Sequence, residues 1–369
     1  MTKIKELNRL GQSIWYDNIR RSLIDSGELQ TLIDIGVTGV TSNPSIYEKA
    51  IAGSADYDEA IAAIAGSDQP AEAIYEALAF ADIRSTADLL RPIYNRTIGV
   101  DGYVSLEVNP SLANDTKGTV AEARRLFAAL DRPNVMIKVP ATPAGLPAIE
   151  NLIGEGINVN VTLIFSLANY EEVAEAYITG LERLAATVGD VSRVASVASF
   201  FVSRVDSAVD RVLATVGNRE LLGKIAIANA KVAYGRFLEI FSGNRWDKLE
   251  TAGARVQRPL WASTSTKNPT YHDTLYVDQL VGANTVNTIP PVTLTAFLDH
   301  GTTTSTLGEH LDQALAQHQQ LADLGIDLEA INQKLQDDGV ASFAKSFDSL
   351  ISSVAEKRSR LHSLTEVLL

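Results

Sequence analysis

The sequence predicts an α/β protein of the (β/α)8 TIM-barrel class, and three observations support this prediction. Eight short β-like runs alternate with longer stretches of helical spacing along the 369 residues. No long irregular linker interrupts the alternation, and the length suits one barrel with insertions. The competing fold, a doubly wound open sheet, normally has a glycine-rich turn after its first strand, whereas the sequence here is Trp15-Tyr16-Asp17-Asn18.

The predicted strands are short apolar runs, and longer stretches with helical spacing separate them. The strands cover residues 12–17, 37–43, 103–108, 134–142, 157–165, 194–202, 259–263 and 284–289. The helices are one that ends at Gly36, an alanine-rich stretch over about 47–90 broken near Gly66 and Pro70, and stretches over 119–130, 147–155, 170–188 and 205–249. We therefore expect a single domain over 1–369, with the barrel at about 12–300.

Residues 301–369 are predicted to form a helical C-terminal extension. Helical spacing indicates three helices, near 307–324, 328–335 and 342–361. The sequence leaves open whether this extension covers the mouth of the barrel or packs on its side.

Composition excludes several classes of function. The chain has no cysteine, so disulfides, thiolate metal sites and cysteine nucleophiles are excluded. It has 32 basic and 45 acidic residues and a net charge of −13, so neither nucleic acid nor an anionic membrane is expected as a partner. No apolar run approaches a membrane span, and residues 1–7 lack the apolar core of a signal peptide, so we expect a cytoplasmic protein.

The fourth predicted strand contains a lysine among apolar residues. Val135, Met136, Ile137 and Val139 around Lys138 are typical of a strand covered on both faces. Lysine is rarely buried unless it is paired or used chemically, and burial favours the neutral amine, which can attack a carbonyl. The alternative is an edge strand that the lysine protects against aggregation.

Further polar residues fall near the C-terminal ends of the predicted strands, which meet on one face of a barrel. They are Asp17, Asn43, Glu107, Asn160, Thr162, Ser199, Arg204, Ser263 and Lys267. Singly, they have simpler explanations: Asp17 can cap the next helix, Asn43 can form a turn with Pro44, and Glu107 can be a rim residue. Arg204 and Lys267 can be surface charges.

Together these residues favour cleavage of a carbon–carbon bond through a Schiff base. The amine condenses with a ketone, the protonated imine takes up the electrons of the broken bond, and carboxylates transfer the protons. Arg204 and Lys267, with Ser199 and Ser263, would bind a phosphate group. The five histidines have no close metal-ligand spacing, so we expect neither a metal nor another cofactor.

Five segments resemble the transaldolase family in order and spacing. They are residues 39–46, 104–108, 134–142, 156–166 and 199–204. The resemblance runs from about Trp15 to Pro291, and the length and tail resemble the longer bacterial subfamily. It implies sugar-phosphate substrates and transfer of a dihydroxyacetone unit from sedoheptulose 7-phosphate to glyceraldehyde 3-phosphate, in the non-oxidative pentose phosphate pathway. The products would be erythrose 4-phosphate and fructose 6-phosphate. The sequence predicts no oligomeric state.

The resemblance also implies roles for the catalytic residues. Lys138 matches the Schiff-base lysine, and Asp17 matches the general acid/base at the hydroxyl group of the cleaved bond. Glu107 and Thr162 match the pair that positions and activates a water molecule during imine formation and release.

The substrate-binding residues follow from the same resemblance. Asn43 and Asn160 match amides that bind substrate hydroxyls and the dihydroxyacetone unit, Ser199 matches a ligand of another hydroxyl, and Arg204 matches a phosphate ligand. The seventh strand departs from the family's short form, whose tight Ser-x-Arg-Asn is replaced by a longer run ending in Lys267-Asn268. Ser263 and Lys267 are assigned here, and Ser265 is left open as the alternative serine. A lysine cannot form the bidentate fork of an arginine.

Two other functions are weighed against the transferase. One is an aldolase that releases free dihydroxyacetone from fructose 6-phosphate by the same intermediate; the other is an inactive sugar-phosphate-binding barrel. Phe201 favours the transferase, because the related aldolases tend to have tyrosine there. The inactive barrel is disfavoured because every expected catalytic position is filled.

Overall fold

The computed structural model describes residues 1–64 and 69–368, with side chains up to residue 363. Gly66, near which a helix break is predicted, lies outside the described residues.

Eight parallel strands close into a barrel in sequence order, which confirms the predicted fold. The strands are β1 Gln12–Tyr16, β2 Gly39–Thr41, β3 Val104–Glu107, β4 Val135–Pro140, β5 Val159–Ile164, β6 Ser196–Phe201, β7 Arg258–Ala262 and β8 Thr285–Ile289. β1 pairs with β8, so the barrel has no edge strand. β4 lies between β3 and β5, and the interpretation of Lys138 as an edge charge is therefore wrong.

Helices surround the barrel and cover one of its ends. They are α1 Lys3–Arg9, α2 Arg21–Asp25, α3 Glu28–Ile35, α4 Pro44–Gly53, α5 Asp58–Ala62, α6 Ala71–Arg96, α7 Thr116–Leu130, α8 Gly145–Ile153, α9 Leu167–Thr187, α10 Ser203–Thr215, α11 Ile225–Ile240, α12 Asn244–Thr251, α13 Leu275–Asp278, α14 Pro291–His300, α15 Leu311–Asp323 and α16 Leu328–Leu368. A short 3₁₀ helix, Pro110–Leu112, follows β3. No helix in the described ranges is long and apolar enough to cross a membrane.

The predicted break between the last two helices is wrong. α16 is continuous from Leu328 to Leu368, and Gly339 lies buried inside it. A β-carbon added at Gly339 would lie 2.9 Å from Cδ2 of Leu163 on β5. The glycine therefore allows the helix to approach the barrel closely, rather than ending the helix.

The position of α16 also answers the question that the sequence left open. The helix packs against α4, α6 and α10, and it contacts β5. Phe343 of α16 lines the cavity at the C-terminal ends of the strands. The extension therefore covers part of the barrel mouth.

The barrel interior and the strand–helix layer are apolar. Trp15 and Trp261 are fully buried, and their cluster continues to Phe343 and Leu350 of α16. Polar strand residues lie at both ends of the barrel: at the N-terminal end Arg258 donates a hydrogen bond to Ser13, at 2.7 Å, whereas at the C-terminal end the polar side chains face a cavity. The cavity lies at the end expected of a barrel whose loops carry the functional site.

Candidate active site

A cavity of about 530 Å³ opens at the C-terminal ends of the strands, bounded by α4, α10 and α16. Eight of the ten predicted site residues line it: Asp17, Asn43, Lys138, Thr162, Ser199, Arg204, Ser263 and Lys267. The other two, Glu107 and Asn160, contact residues of the cavity wall from behind.

Lys138 projects from β4 and is only 5% exposed. Its Nζ lies 3.6 Å from Oε2 of Glu107 and donates a hydrogen bond to the carbonyl oxygen of Ser42, at 3.3 Å. The ring of Phe343 lies on another side, with its centroid 5.8 Å from Nζ. The amine is therefore enclosed by protein and still borders the cavity, where it can contact a ligand.

Glu107 and Thr162 lie on the strands that flank Lys138. Glu107 pairs with Lys138 in the register of β3 and β4, and burial raises its pKa while the nearby ammonium opposes the rise. Among the described residues, Oε2 of Glu107 and Oγ1 of Thr162 are buried and have no hydrogen-bond partner. Buried polar atoms of this kind normally have a partner, so both groups can bind a small polar molecule beside the amine.

Asp17 follows β1 and accepts a hydrogen bond from the hydroxyl of Thr41, at 2.7 Å. The Thr288 hydroxyl lies 2.6 Å from that of Thr41, so β2 and β8 both orient the carboxylate. Burial raises the pKa of Asp17, although Lys138, the bond from Thr41 and Lys267 oppose the rise. α2 begins only at Arg21, so the interpretation of Asp17 as a helix cap is wrong.

Arg204 and Lys267 form a cationic wall of the cavity. Arg204 is half-buried at the start of α10 and lies over the ring of Phe201, 5.2 Å from its centroid. Burial lowers the pKa of Arg204. The pKa of Lys267 is lowered by burial and by the nearby charges of Arg204 and Lys49, and the charge of Asp17 opposes this effect. No carboxylate of the described chain lies within 4 Å of either cation. Two neighbouring cations without an acidic partner are suited to bind an anion.

Ser263 and Ser265 both line this part of the cavity. Ser263 has a left-handed backbone, with φ at 59°, and its hydroxyl lies 3.1 Å from that of Ser203. Ser265 accepts a hydrogen bond from Nζ of Lys267. Either hydroxyl can face a ligand, so the choice between them stays a prediction.

The two predicted asparagines are used differently. Oδ1 of Asn43 accepts from the backbone N–H of Ile46 and so caps α4, which leaves its amide NH2 group at the cavity wall. Asn160 is fully buried; its Nδ2 donates to Ser105, and its Oδ1 accepts from Ser199 at 2.7 Å. Asn160 therefore holds Ser199 in place, and its direct contact with a substrate remains a prediction.

Sequence reasoning missed several residues of the cavity wall. Thr41 and Thr288 stand at the ends of β2 and β8, where their polarity was a usable signal. Lys49 lies on α4, one helical turn beyond Ser45, and both line the cavity. Phe343 gave no signal, because its contact with Lys138 links positions far apart in the chain.

The described residues contain one group of metal-binding type, His272, Asp273 and His300, whose ligand atoms lie within 4.8 Å of one another. All three are exposed, and none lines the cavity. The group therefore lies apart from the cavity that Lys138 borders.

Comparison with known proteins identifies one family over nearly the whole chain. The family model for transaldolase/fructose-6-phosphate aldolase matches residues 14–354. The chain is 49% identical over 358 residues to a transaldolase of Thiobacillus denitrificans, covering 96% of this chain and all of that protein. It is 46% identical over 367 residues to transaldolase 2 of Nostoc punctiforme, covering 95% and 96%. It is 48% identical over 352 residues to a transaldolase of Neisseria meningitidis, covering 95% and 99%.

Proposed function

Because the chain belongs to the transaldolase/fructose-6-phosphate aldolase family, we propose that it is a transaldolase. It transfers a dihydroxyacetone unit from sedoheptulose 7-phosphate to glyceraldehyde 3-phosphate, which gives erythrose 4-phosphate and fructose 6-phosphate. The observation that carries this proposal is the buried amine of Lys138, 3.6 Å from Glu107, in a cavity shared with Asp17, Arg204 and Lys267.

The first step forms the Schiff base. Nζ of Lys138 attacks the ketone carbon, a proton moves to the ketone oxygen, and the resulting carbinolamine loses that oxygen as water. The product is a protonated imine between Lys138 and the sugar. Glu107 and Thr162 are proposed to hold the water that relays these protons, because each has a buried oxygen with no hydrogen-bond partner in the described structure, and that of Glu107 lies 3.6 Å from the amine.

The second step breaks the bond between C3 and C4 of the sugar. Asp17 removes the proton of the C4 hydroxyl, C4 becomes the aldehyde carbon of the leaving aldose, and the bonding electrons move into the imine to give an enamine. A carboxylate with a raised pKa accepts a proton more readily than an ordinary aspartate, which suits Asp17 to this task. The acceptor aldose then reacts by the reverse sequence, and hydrolysis of the imine regenerates the amine.

The phosphate group is proposed to bind at Arg204 and Lys267. The chain as a whole carries a charge of −13, so these cations provide the local attraction that a phosphorylated sugar needs. Lys267 acts as a point charge, and the directional contacts fall to Arg204.

Transfer is favoured over release of free dihydroxyacetone because the wall near Ser199 and Arg204 is aromatic without a hydroxyl. Phe201 is 6% exposed and packs against Phe165, with ring centroids 5.1 Å apart and the rings tilted by 37°. A phenyl ring cannot deliver a proton to the enamine, so the intermediate persists until an acceptor arrives. In a coupled assay with fructose 6-phosphate and no acceptor, rapid release of free dihydroxyacetone would instead indicate the aldolase.

Borohydride trapping tests the proposal directly. Incubation with fructose 6-phosphate and reduction should add a dihydroxyacetone-derived or hexose-derived mass to Lys138. Lys138→Met should abolish both the adduct and turnover. Lys231→Met is the matched control, since Lys231 is another buried lysine, on α11, that lies outside the cavity. A folded wild-type protein that forms no adduct would indicate an inactive binding protein.

A cytoplasmic location is part of the same proposal. Phosphorylated sugars are charged and do not cross membranes unaided, so an enzyme that uses them works where they are made.

A further inference from the structure

We propose that α16 is part of the catalytic apparatus, and that Gln336 is a positioning residue that acts on Thr162 through the backbone of Leu163. This inference rests on the proposed function, in which Thr162 takes part in the water steps of imine formation and release.

Gln336 joins the ends of two catalytic strands. Its Nε2 lies 3.1 Å from the carbonyl oxygen of Ala141, 3.0 Å from that of Leu163 and 3.0 Å from Oδ1 of Asn169. Ala141 directly follows β4, which carries Lys138, and Leu163 directly follows Thr162 on β5. The side chain is buried, and Gln336 is 6% exposed, so these contacts are protected from water.

The backbone that Gln336 holds is in an unfavourable conformation. Leu163 has a φ of 60°, in the left-handed region that leucine rarely adopts. The register between β5 and β6 shifts between Val161 and Ile164, which marks a bulge at the same place. Such conformations persist only where the surroundings enforce them, and they are concentrated at functional sites.

A second residue of α16, Gly339, also lies close to Leu163. Gly339, one turn beyond Gln336, brings the helix so close that an added β-carbon would lie 2.9 Å from Cδ2 of Leu163. One turn further, Phe343 places its ring 5.8 Å from Nζ of Lys138. Three successive turns of one helix therefore face the strand ends that carry Thr162 and Lys138.

The barrel and α16 therefore have different roles at Thr162. β5 supplies the hydroxyl of Thr162, and the bulge after it sets the direction in which that hydroxyl points. Gln336 stabilises the bulge by donating a hydrogen bond to the carbonyl oxygen of Leu163. Without Gln336 this buried oxygen would lose that hydrogen bond, which is unfavourable. Loss of Gln336 should therefore impair the water steps at Lys138 more than the binding of substrate.

The test compares Gln336→Leu with Gln333→Leu. Gln333 lies on the same helix, is exposed, and donates only to Asp337 within the described structure. In Gln336→Leu, kcat and the rate of adduct formation at Lys138 should fall roughly tenfold to a hundredfold, with KM nearly unchanged. Gln333→Leu should leave all three quantities at wild-type values.

Gly339→Ala separates positioning from folding. The added methyl group would lie 2.9 Å from Cδ2 of Leu163, so this side chain must move, and we expect the shift to reach the backbone of the bulge and lower kcat. Thermal stability should not fall, because alanine favours a helix over glycine. This variant also keeps the proposal testable if Gln336→Leu does not fold. Equal kcat in folded Gln336→Leu and Gln333→Leu, or wild-type kcat in Gly339→Ala, would overturn the proposal.

An activity-independent measurement distinguishes this proposal from the proposed function. Amide hydrogen exchange over residues 160–166 should be faster in Gln336→Leu than in Gln333→Leu. If wild-type protein forms no adduct, the proposed function fails, while this exchange result still reports whether Gln336 holds the bulge. If the wild-type protein forms the adduct but amide exchange over residues 160–166 is the same in Gln336→Leu and Gln333→Leu, the positioning role of Gln336 is overturned and the proposed function stands.

Discussion

Replacing Arg204 by glutamine tests the proposal that Arg204 binds the phosphate group of the substrate. Arg204 is half-buried on α10, its pKa is lowered by burial, and it has no acidic partner within the described chain. A hydrogen bond to a charged group contributes about 1.5–3 kcal/mol, which corresponds to roughly a 10- to 150-fold loss in kcat/KM. Lys267 remains and provides the point charge, so activity should be reduced rather than abolished.

The assay measures kcat/KM for two acceptors, erythrose 4-phosphate and erythrose, with saturating fructose 6-phosphate as donor. Arg204→Gln should lose the stated factor with the phosphorylated acceptor and little with erythrose. Arg211→Gln is the matched control, because Arg211 is exposed on the same helix, two turns on, and donates to the carbonyl oxygen of Ser207.

Stability provides a second check on the same variant. The substitution gives up the contact with the Phe201 ring, worth about 0.5–1 kcal/mol, and removes a half-buried cation that repels Lys267. The two effects oppose each other, so the free energy of unfolding should change little. An equal loss of kcat/KM for both acceptors, or a large drop in stability, would refute the assignment of Arg204 to phosphate.

Three other predictions concern the chemistry. Asp17→Asn should still form the borohydride adduct but turn over slowly, and it should be more stable than wild type at neutral pH. Because the pKa of Asp17 is raised in the folded state, its ionised carboxylate lowers the free energy of unfolding at neutral pH. The difference in stability between the two proteins should vanish below about pH 4, where Asp17 is protonated in both the folded and the unfolded state. Unchanged turnover in Asp17→Asn would exclude Asp17 from the mechanism. In wild type, kcat/KM should fall on acidification, and the pH of half-maximal kcat/KM should lie above the ordinary pKa of aspartate. A midpoint at or below that pKa would contradict the proposed roles of Asp17 and Glu107. Phe201→Tyr should increase release of free dihydroxyacetone without acceptor, and release at the wild-type rate would show that the ring does not protect the enamine.

The sequence predicted the barrel because its strands and helices leave strong local patterns. Lys138 stood out as a charge within an apolar run, and its burial in β4 follows from pairing on both sides by β3 and β5. Glu107 was expected near Lys138, since strand ends of a parallel barrel meet, and the register places the two residues opposite each other. Residues at strand ends were therefore within the reach of pattern reasoning.

The contributions of α16 were beyond that reach. A break in the helix was predicted between residues 335 and 342, but Gly339 in that interval lies against Leu163, and only the tertiary structure brings the two together. The left-handed backbone of Leu163 was equally hidden, because leucine at that position gives no sign of a bulge. Contacts between distant segments override local preference at both places.

The cavity concentrates groups that are unfavourable for folding. Asp17 and Glu107 have pKa values raised by burial, Arg204 has no acidic partner in the described chain, and Leu163 has a left-handed backbone. Each of these features lowers stability, so the surrounding structure must offset them. α16 is well placed to do so, because its apolar residues join the main core while Gln336 satisfies carbonyl oxygens at the strained strand ends. A helix that both stabilises the mouth of the barrel and holds the bulge beside Thr162 explains how a strained site persists in a well-ordered fold.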